Sequence, residues 1–187
     1  LSQKGIIKDV SSDGKRLAYS TEKGLQIVET STNKSISKVT IKPYSDVRFV
    51  GSDKVLLSHD ARGVGSNDFD TRRVVVANIA SGEILLTFDI PAPNKKAADG
   101  LFLGLANDGN EVAIGWPSHS RFEIWSTSTG KLVRGTDVIP GHSKKGWSNV
   151  RLSPNGLTAA IQYHLGDPYT IFDLENGKEL ETQKVYN

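Results

Sequence analysis

Ile124-Trp125-Ser126-Thr127-Ser128-Thr129-Gly130-Lys131-Leu132 and Ile171-Phe172-Asp173-Leu174-Glu175-Asn176-Gly177-Lys178-Glu179-Leu180 share one design. Each closes an apolar run on an aromatic residue and a polar one, turns at Gly-Lys, and starts a second run. The pattern recurs upstream. The positions Val28, Ala77, Trp125 and Phe172 are separated by 49, 48 and 47 residues, and the turn residues Asn33, Gly82, Gly130 and Gly177 repeat those intervals. Short runs bounded by Gly, Asn and Asp are the signature of strands joined by hairpins.

Four such runs fit into each copy. In the first they are Ile6 to Val10, Arg16 to Ser20, Leu25 to Glu29 and Ser35 to Val39. The second uses Asp46 to Val50, Val55 to His59, Arg73 to Asn78 and Glu83 to Phe88; the third Leu101 to Leu105, Glu111 to Trp116, Phe122 to Ser126 and Lys131 to Arg134. The fourth uses Asn149 to Ser153, Thr158 to Tyr163, Tyr169 to Asp173 and Glu179 to Lys184, and no segment reads as a helix. A period near 48 residues with four strands per copy implies an all-β fold of four four-stranded antiparallel blades, a β-propeller. The expected blades are about 1–40, 41–90, 91–134 and 135–187, in one partial propeller domain. Stacked repeats bury their apolar faces on their neighbours, so four blades are expected to belong to a larger ring of six to eight. The remaining blades would come from a parent chain or from a second copy; a self-closed four-bladed ring is the competing arrangement.

In an antiparallel meander the connections alternate between the two ends of the sheet. One end collects only tight turns: Asp13-Gly14, Gly51-Ser52-Asp53, Asp108-Gly109 and Asn155-Gly156, with Thr32-Asn33, Ser81-Gly82, Thr129-Gly130 and Asn176-Gly177. The other end collects the long connections, above all His59 to Arg72, Asp89 to Gly100 and Gly135 to Gly146. Connections longer than turn geometry requires are where binding residues concentrate.

The fourth copy, with Gly141-His142, Val150-Arg151-Leu152-Ser153-Pro154-Asn155-Gly156, Ile171-Phe172-Asp173 and Asn176-Gly177-Lys178, resembles the WD-repeat β-propeller family. The third shares Asn107-Asp108-Gly109 and Trp125-Ser126. The first keeps Ser11-Ser12-Asp13-Gly14 but closes on Val28-Glu29, and the second closes on Ala77-Asn78, so the resemblance is to a degenerate member. The Asp-Gly and Thr-Gly-Lys turns are also similar to those of bacterial dehydrogenase and periplasmic accessory propellers. The resemblance implies a rigid interaction platform with no chemistry of its own and a structural His142. Phe172 stands where that family's closing Trp would offer an indole donor.

Composition narrows the function classes. The 187 residues are 37% hydrophobic and 24% charged, ordinary for a soluble globular chain, and 23 basic against 21 acidic residues leave a net charge of +2. No run approaches the roughly 20 apolar residues that span a bilayer, so no membrane insertion is expected. With no Cys there are no disulfides or thiolate metal sites; with no Met even at position 1, the chain reads as part of something longer. The compartment is left open.

The candidate binding residues are on the long connections. His59, Asp60, Arg62, Asp68, Asp70, Arg72 and Arg73 cluster in one stretch. Its carboxylates could ligate Ca²⁺, but they lack EF-hand spacing, and its glycines are not followed by the Lys-Ser/Thr of a phosphate loop. A solvated or partner-contacting loop is the preferred reading. Lys95, Lys96, Lys144 and Lys145, with Trp147, add basic pairs and an aromatic at the same end. Acidic residues share that end, and mixed charge favours a protein or peptide over nucleic acid, which needs a coherent positive field. Trp116, ahead of Pro117, is a candidate exposed anchor. His119 belongs to a set with His59, His142 and His164 whose members follow separate blades, so neither a metal nor another cofactor is expected. No Ser sits in a strand-to-helix elbow and no triad is readable, so the chain is expected to be non-catalytic. The expected function is a scaffold that binds protein or peptide through residues 59–72, 91–100 and 135–146. The alternative is a propeller segment that gates or supports an enzyme whose catalytic residues lie outside this chain.

Overall fold

The computed structural model describes residues 5–40, 46–62, 69–91, 101–137, 147, 149–164 and 166–183; the side chains of 59–62, 69, 70, 101–103, 118 and 183 are outside that description. The described residues form four four-stranded antiparallel meanders. The first blade is β1 (Ile6–Val10), β2 (Arg16–Thr21), β3 (Gly24–Glu29) and β4 (Ser35–Val39). The second is β5 (Asp46–Val50), β6 (Lys54–Arg62), β7 (Phe69–Asn78) and β8 (Ile84–Pro91). The third is β9 (Leu101–Ala106), β10 (Glu111–Trp116), β11 (Arg121–Ser126) and β12 (Leu132–Asp137); the fourth is β13 (Asn149–Leu152), β14 (Thr158–Gln162), β15 (Tyr169–Asp173) and β16 (Glu179–Gln183). Two single 3-10 turns, Asn107–Gly109 and Pro117–His119, punctuate the third blade, where no helical residues were expected.

Three long connections are shorter than the sequence suggests. The expected loop His59 to Arg72 is the far end of a hairpin: β6 runs on to Arg62 and β7 begins at Phe69. Likewise β8 continues to Pro91 and β12 to Asp137. Charged and small residues have weak strand propensity, but a ladder already formed on a neighbouring strand carries them along.

The repeated turn has a repeated chemistry. Asn33, Gly82, Gly130 and Gly177 all take left-handed torsions, with φ of 54°, 72°, 65° and 71°. Each donates its N–H to the carbonyl four residues back, on Glu29, Asn78, Ser126 and Asp173. Those four residues also cap the turn with their side chains. Asn78 Oδ1 accepts from the N–H groups of Ala80 and Ser81 at 2.8 and 3.0 Å, and Ser126 Oγ from those of Ser128 and Thr129 at 3.3 and 3.2 Å. Asp173 Oδ1 accepts from the Glu175 N–H at 2.8 Å, and the Glu29 carboxylate from the Thr32 hydroxyl. In three of the four copies a side-chain oxygen at this position satisfies turn N–H groups, and in the first Glu29 holds the Thr32 hydroxyl instead.

Within every blade the two tight turns are clasped together. The N–H groups of Thr30, Ile79, Thr127 and Leu174 donate to the carbonyls of Lys15, Asp53, Asn110 and Leu157, between 2.8 and 2.9 Å. Thr127 Oγ1 adds a buried bond to the Gly109 carbonyl at 2.7 Å. One end of each blade is thereby closed by backbone bonds, and the remaining connections emerge from the other end.

The chain divides into two compact units, residues 1–61 with 72–90, and residues 62–71 with 91–187. In the first, Ala18, Leu25, Ile27 and Val39 of blade one pack on Val47, Val55, Leu57, Ala77 and Ile79 of blade two. The Phe49 N–H donates to Asp9 Oδ2 across that junction at 2.8 Å. In the second unit Phe122 of blade three enters a cluster with Trp147, Val150, Ala159, Ile161, Tyr163, Phe172 and Leu174. Arg134 Nη2 donates to the Gly156 carbonyl at 2.9 Å, and the Asn107 N–H to that of Pro154.

Burial in this second cluster, and the nearby Glu179 carboxylate, push the Tyr163 hydroxyl up to about 12. An unfolded Tyr ionises near 10, so between those values the unfolded chain holds fewer protons than the native one. Stability is therefore full below pH 10 and falls as pH rises toward 12, with a steepest slope of about 1.4 kcal/mol per unit. Urea titrations at stepped alkaline pH should show this decline, and Tyr163→Phe should remove its share; an unchanged slope would contradict the burial argument.

Candidate functional site

In blades two and three the end opposite the clasped turns is built on paired charges. In blade two, Asp46 of β5, Ser58 of β6 and Arg72 of β7 meet beneath the hairpin. Arg72 donates Nε and Nη2 to Ser58 Oγ at 3.3 and 3.1 Å, and its Nη2 pairs with Asp46 Oδ2. Only 5% of Arg72 is exposed, so its expected role as a binding residue is corrected: it ties three strands together below the tip. Side chains alternate along a strand, so Arg73 faces the other way. It is exposed and forks onto Asp89 of β8, with Nε and Nη2 each 2.7 Å from a carboxylate oxygen, which holds its guanidinium above the ordinary value.

Blade three carries a denser network at the corresponding end. Trp116 ends β10, Pro117–His119 make one 3-10 turn, and Ser120 takes a left-handed φ of 50° to start β11. Cross-strand pairing sets Trp116 opposite Arg121. Glu123 Oε2 accepts from both Trp116 Nε1 and Trp125 Nε1, at 3.1 and 3.2 Å, while Glu123 Oε1 accepts from Arg121 Nε at 3.0 Å. Arg121 Nη1 reaches on to Asp137 at 2.8 Å, and Asp137 and Glu123 together hold its guanidinium above the ordinary value. A single carboxylate, itself 7% exposed, thus satisfies two indoles and half of an arginine.

Trp116 is therefore not an exposed anchor: it is 1% exposed, and its indole N–H is satisfied inside the blade. Trp147 is also corrected. It stacks on Phe122 with ring centroids 4.7 Å apart and 18° between planes, and is buried. Both are large aromatics beside strands, where core packing outweighs exposure. His119 sits half-buried in its 3-10 turn. His59, Asp60 and Arg62 fall on β6 and Asp70 on β7, with side chains outside the described residues. Asp68, Lys95, Lys96, Lys144, Lys145 and His142 are wholly outside them.

Glu123 is the residue that sequence reading passes over. Its signal is present: Arg121, Glu123 and Trp125 are two apart, hence on one face of a strand whose neighbours are apolar. A lone acid among buried positions requires a partner. Among the described residues no group of three His, Asp or Glu converges as a metal site, and no helix is long and apolar enough to cross a membrane. What the described side chains offer is a stiff, charge-paired base beneath the long connections.

Four-stranded meanders repeated in this way are the blades of a β-propeller, and the structural neighbours of the chain are β-propeller proteins. They include Hsv2p of Kluyveromyces lactis, 17% identical with a TM-score of 0.56 over 90% of this chain and 49% of that one. BamB from Moraxella catarrhalis is 17% identical, with a TM-score of 0.57 over 94% of this chain and 48% of its own. The dihydro-heme d1 dehydrogenase NirN, in complex with DHE, is 13% identical, with a TM-score of 0.61 over 97% and 38%. The chain spans about half the length of these proteins or less. No protein-family model matches it, and no curated protein does.

Proposed function

We propose that the chain is a non-catalytic interaction scaffold that binds a protein or peptide through the connections opposite the clasped turns, at residues 63–68, 92–100 and 138–146. The supporting observation is the asymmetry of the blades. One end of each is shut by short turns bonded to each other, while the other emits the long connections, in blades two and three from a base of partly buried ion pairs. Selection for stability alone favours short connections everywhere, so elaboration confined to one end reflects a binding role. Mixed charge there, with Arg73, Asp89, Arg121 and Asp137 already in pairs, suits a polar peptide surface better than a polyanion.

The test is a display library of random peptides panned on the chain. Binders should lose about ten-fold or more in affinity when residues 63–68 are replaced by Asn-Gly and Lys95, Lys96, Lys144 and Lys145 by Ser, with far-UV circular dichroism unchanged. Binders indifferent to all these changes would reject the surface. A second reading, that the segment supports an enzyme supplied elsewhere in a longer protein, draws on the likeness to NirN, a dehydrogenase. It would be favoured if the parent protein turned over a substrate and lost that turnover on deletion of these blades.

A further inference from the structure

The tight hairpin joining β2 to β3 leaves blade one at the end opposite the clasped turns, and a cleft of about 310 Å³ opens beside it, lined by residues 21–26 and Lys38. Such a volume is near the least that encloses a small organic molecule. The hairpin is stiff. The Thr21 hydroxyl donates to the Gly24 carbonyl at 2.8 Å and accepts from the Lys23 N–H at 3.3 Å. Gly24, at φ 127°, lies so close to β4 that a Cβ would be 2.5 Å from the Val39 carbonyl oxygen.

Gln26 is the buried polar group of this cleft. Register sets it between Tyr19 on β2 and Lys38 on β4, on one face of the blade. It is 8% exposed, and its amide makes no hydrogen bond to any described residue. Burying an amide without a partner is unfavourable, and the fold does not require one at this position. The matching residue of blade two is Val75, and the matching Glu123 of blade three is satisfied by Trp116, Trp125 and Arg121. An amide offers an acceptor beside a donor, so its complement presents an N–H beside a C=O. Charge supplies the other half. Lys23 and Lys38 line the cleft without an ion-pair partner among the described residues, against the single carboxylate of Glu22. Two cations to one anion favour an anionic ligand.

We propose that this cleft binds the carboxylate end of a peptide, with the terminal carboxylate between Lys23 and Lys38. The penultimate residue then donates its N–H to Gln26 Oε1 and accepts from Nε2 through its carbonyl. The site goes beyond the surface proposed above and uses none of residues 63–68, 92–100 and 138–146, so replacing those connections should leave it intact.

The test is a nuclear magnetic resonance titration of the ¹⁵N-labelled chain with N-acetyl-glycylglycine, with its C-terminal amide and with inorganic phosphate. The acid is expected to shift the Gln26 side-chain amide, identified by its loss in Gln26→Leu, and the backbone amides of residues 21–26, saturating in the millimolar range. Its C-terminal amide should bind about five-fold or more weakly, and Lys38→Met should weaken the acid to the same extent with circular dichroism unchanged. Should Gln26→Leu fail to fold, Lys38→Met, at an exposed site, carries the test through the backbone amides. No saturable shift with the acid overturns the proposal. So does equal binding of acid and amide, indifference to Lys38→Met, or a stronger response to phosphate than to the acid.

Discussion

Glu123→Ala is expected to lower the unfolding free energy by about 3 kcal/mol, read from the urea midpoint, with a red shift in tryptophan emission. The carboxylate is buried and answers three donors, Trp116 Nε1, Trp125 Nε1 and Arg121 Nε. Removing it strands a buried indole N–H outright and leaves a cation that is only partly hydrated. Breaking such a set costs more than the set contributes, because the desolvation of the survivors is no longer offset. Glu123→Gln separates the two components: one amide oxygen can still accept an indole, so about half the loss should return. The Arg121–Asp137 pair is exposed on the Asp137 side, and its share should be small and salt-sensitive. An alanine variant as stable as the parent would show that the network does not hold the end of the blade together.

Gly177→Asn should be nearly as damaging, at about 2 kcal/mol, although asparagine tolerates left-handed torsions. Asn33 demonstrates that tolerance: it occupies the same turn at φ 54° with an exposed side chain. Gly177 differs in its surroundings. A Cβ there would collide with the backbone carbonyl of Asp137 on β12, as one at Gly82 would lie 2.6 Å from the carbonyl of Lys38 on β4. A carbonyl in a strand cannot step aside as a side chain can, so the junction between the blades must open. Asn33→Gly, a control at an uncrowded turn, should change stability by only a few tenths of a kcal/mol. Equal costs at positions 33 and 177 would mean that torsion rather than crowding governs the turn.

Most of the framework is legible in the sequence because strand signals and turn signals agree. β1, β4, β5, β10 and β15 begin and end where the alternation of apolar residues says they should. Legibility fails where a residue's local character and its tertiary setting diverge. His59 to Arg62 and Phe69 to Arg72 look like loop because they are polar, yet hydrogen bonding to neighbouring strands holds them in β6 and β7. Arg72 looks like surface because it is charged, yet Asp46 and Ser58 neutralise it in the interior. Trp116 looks poised to project because a proline follows, yet a carboxylate seven residues on draws its indole inward. Asp46 and Ser58 are remote from Arg72 in sequence, and only the alternation of Arg121, Glu123 and Trp125 announces the partner of Trp116.

The interchangeable caps at Glu29, Asn78, Ser126 and Asp173 bear on how such a molecule drifts over generations. If any oxygen of suitable reach will seal the bend, mutation can rewrite the spelling of a duplicated unit while its backbone stays put. Ancestry recorded in letters would then fade long before ancestry recorded in shape. The four copies in this one chain are already unlike at that position while the bend itself recurs unchanged.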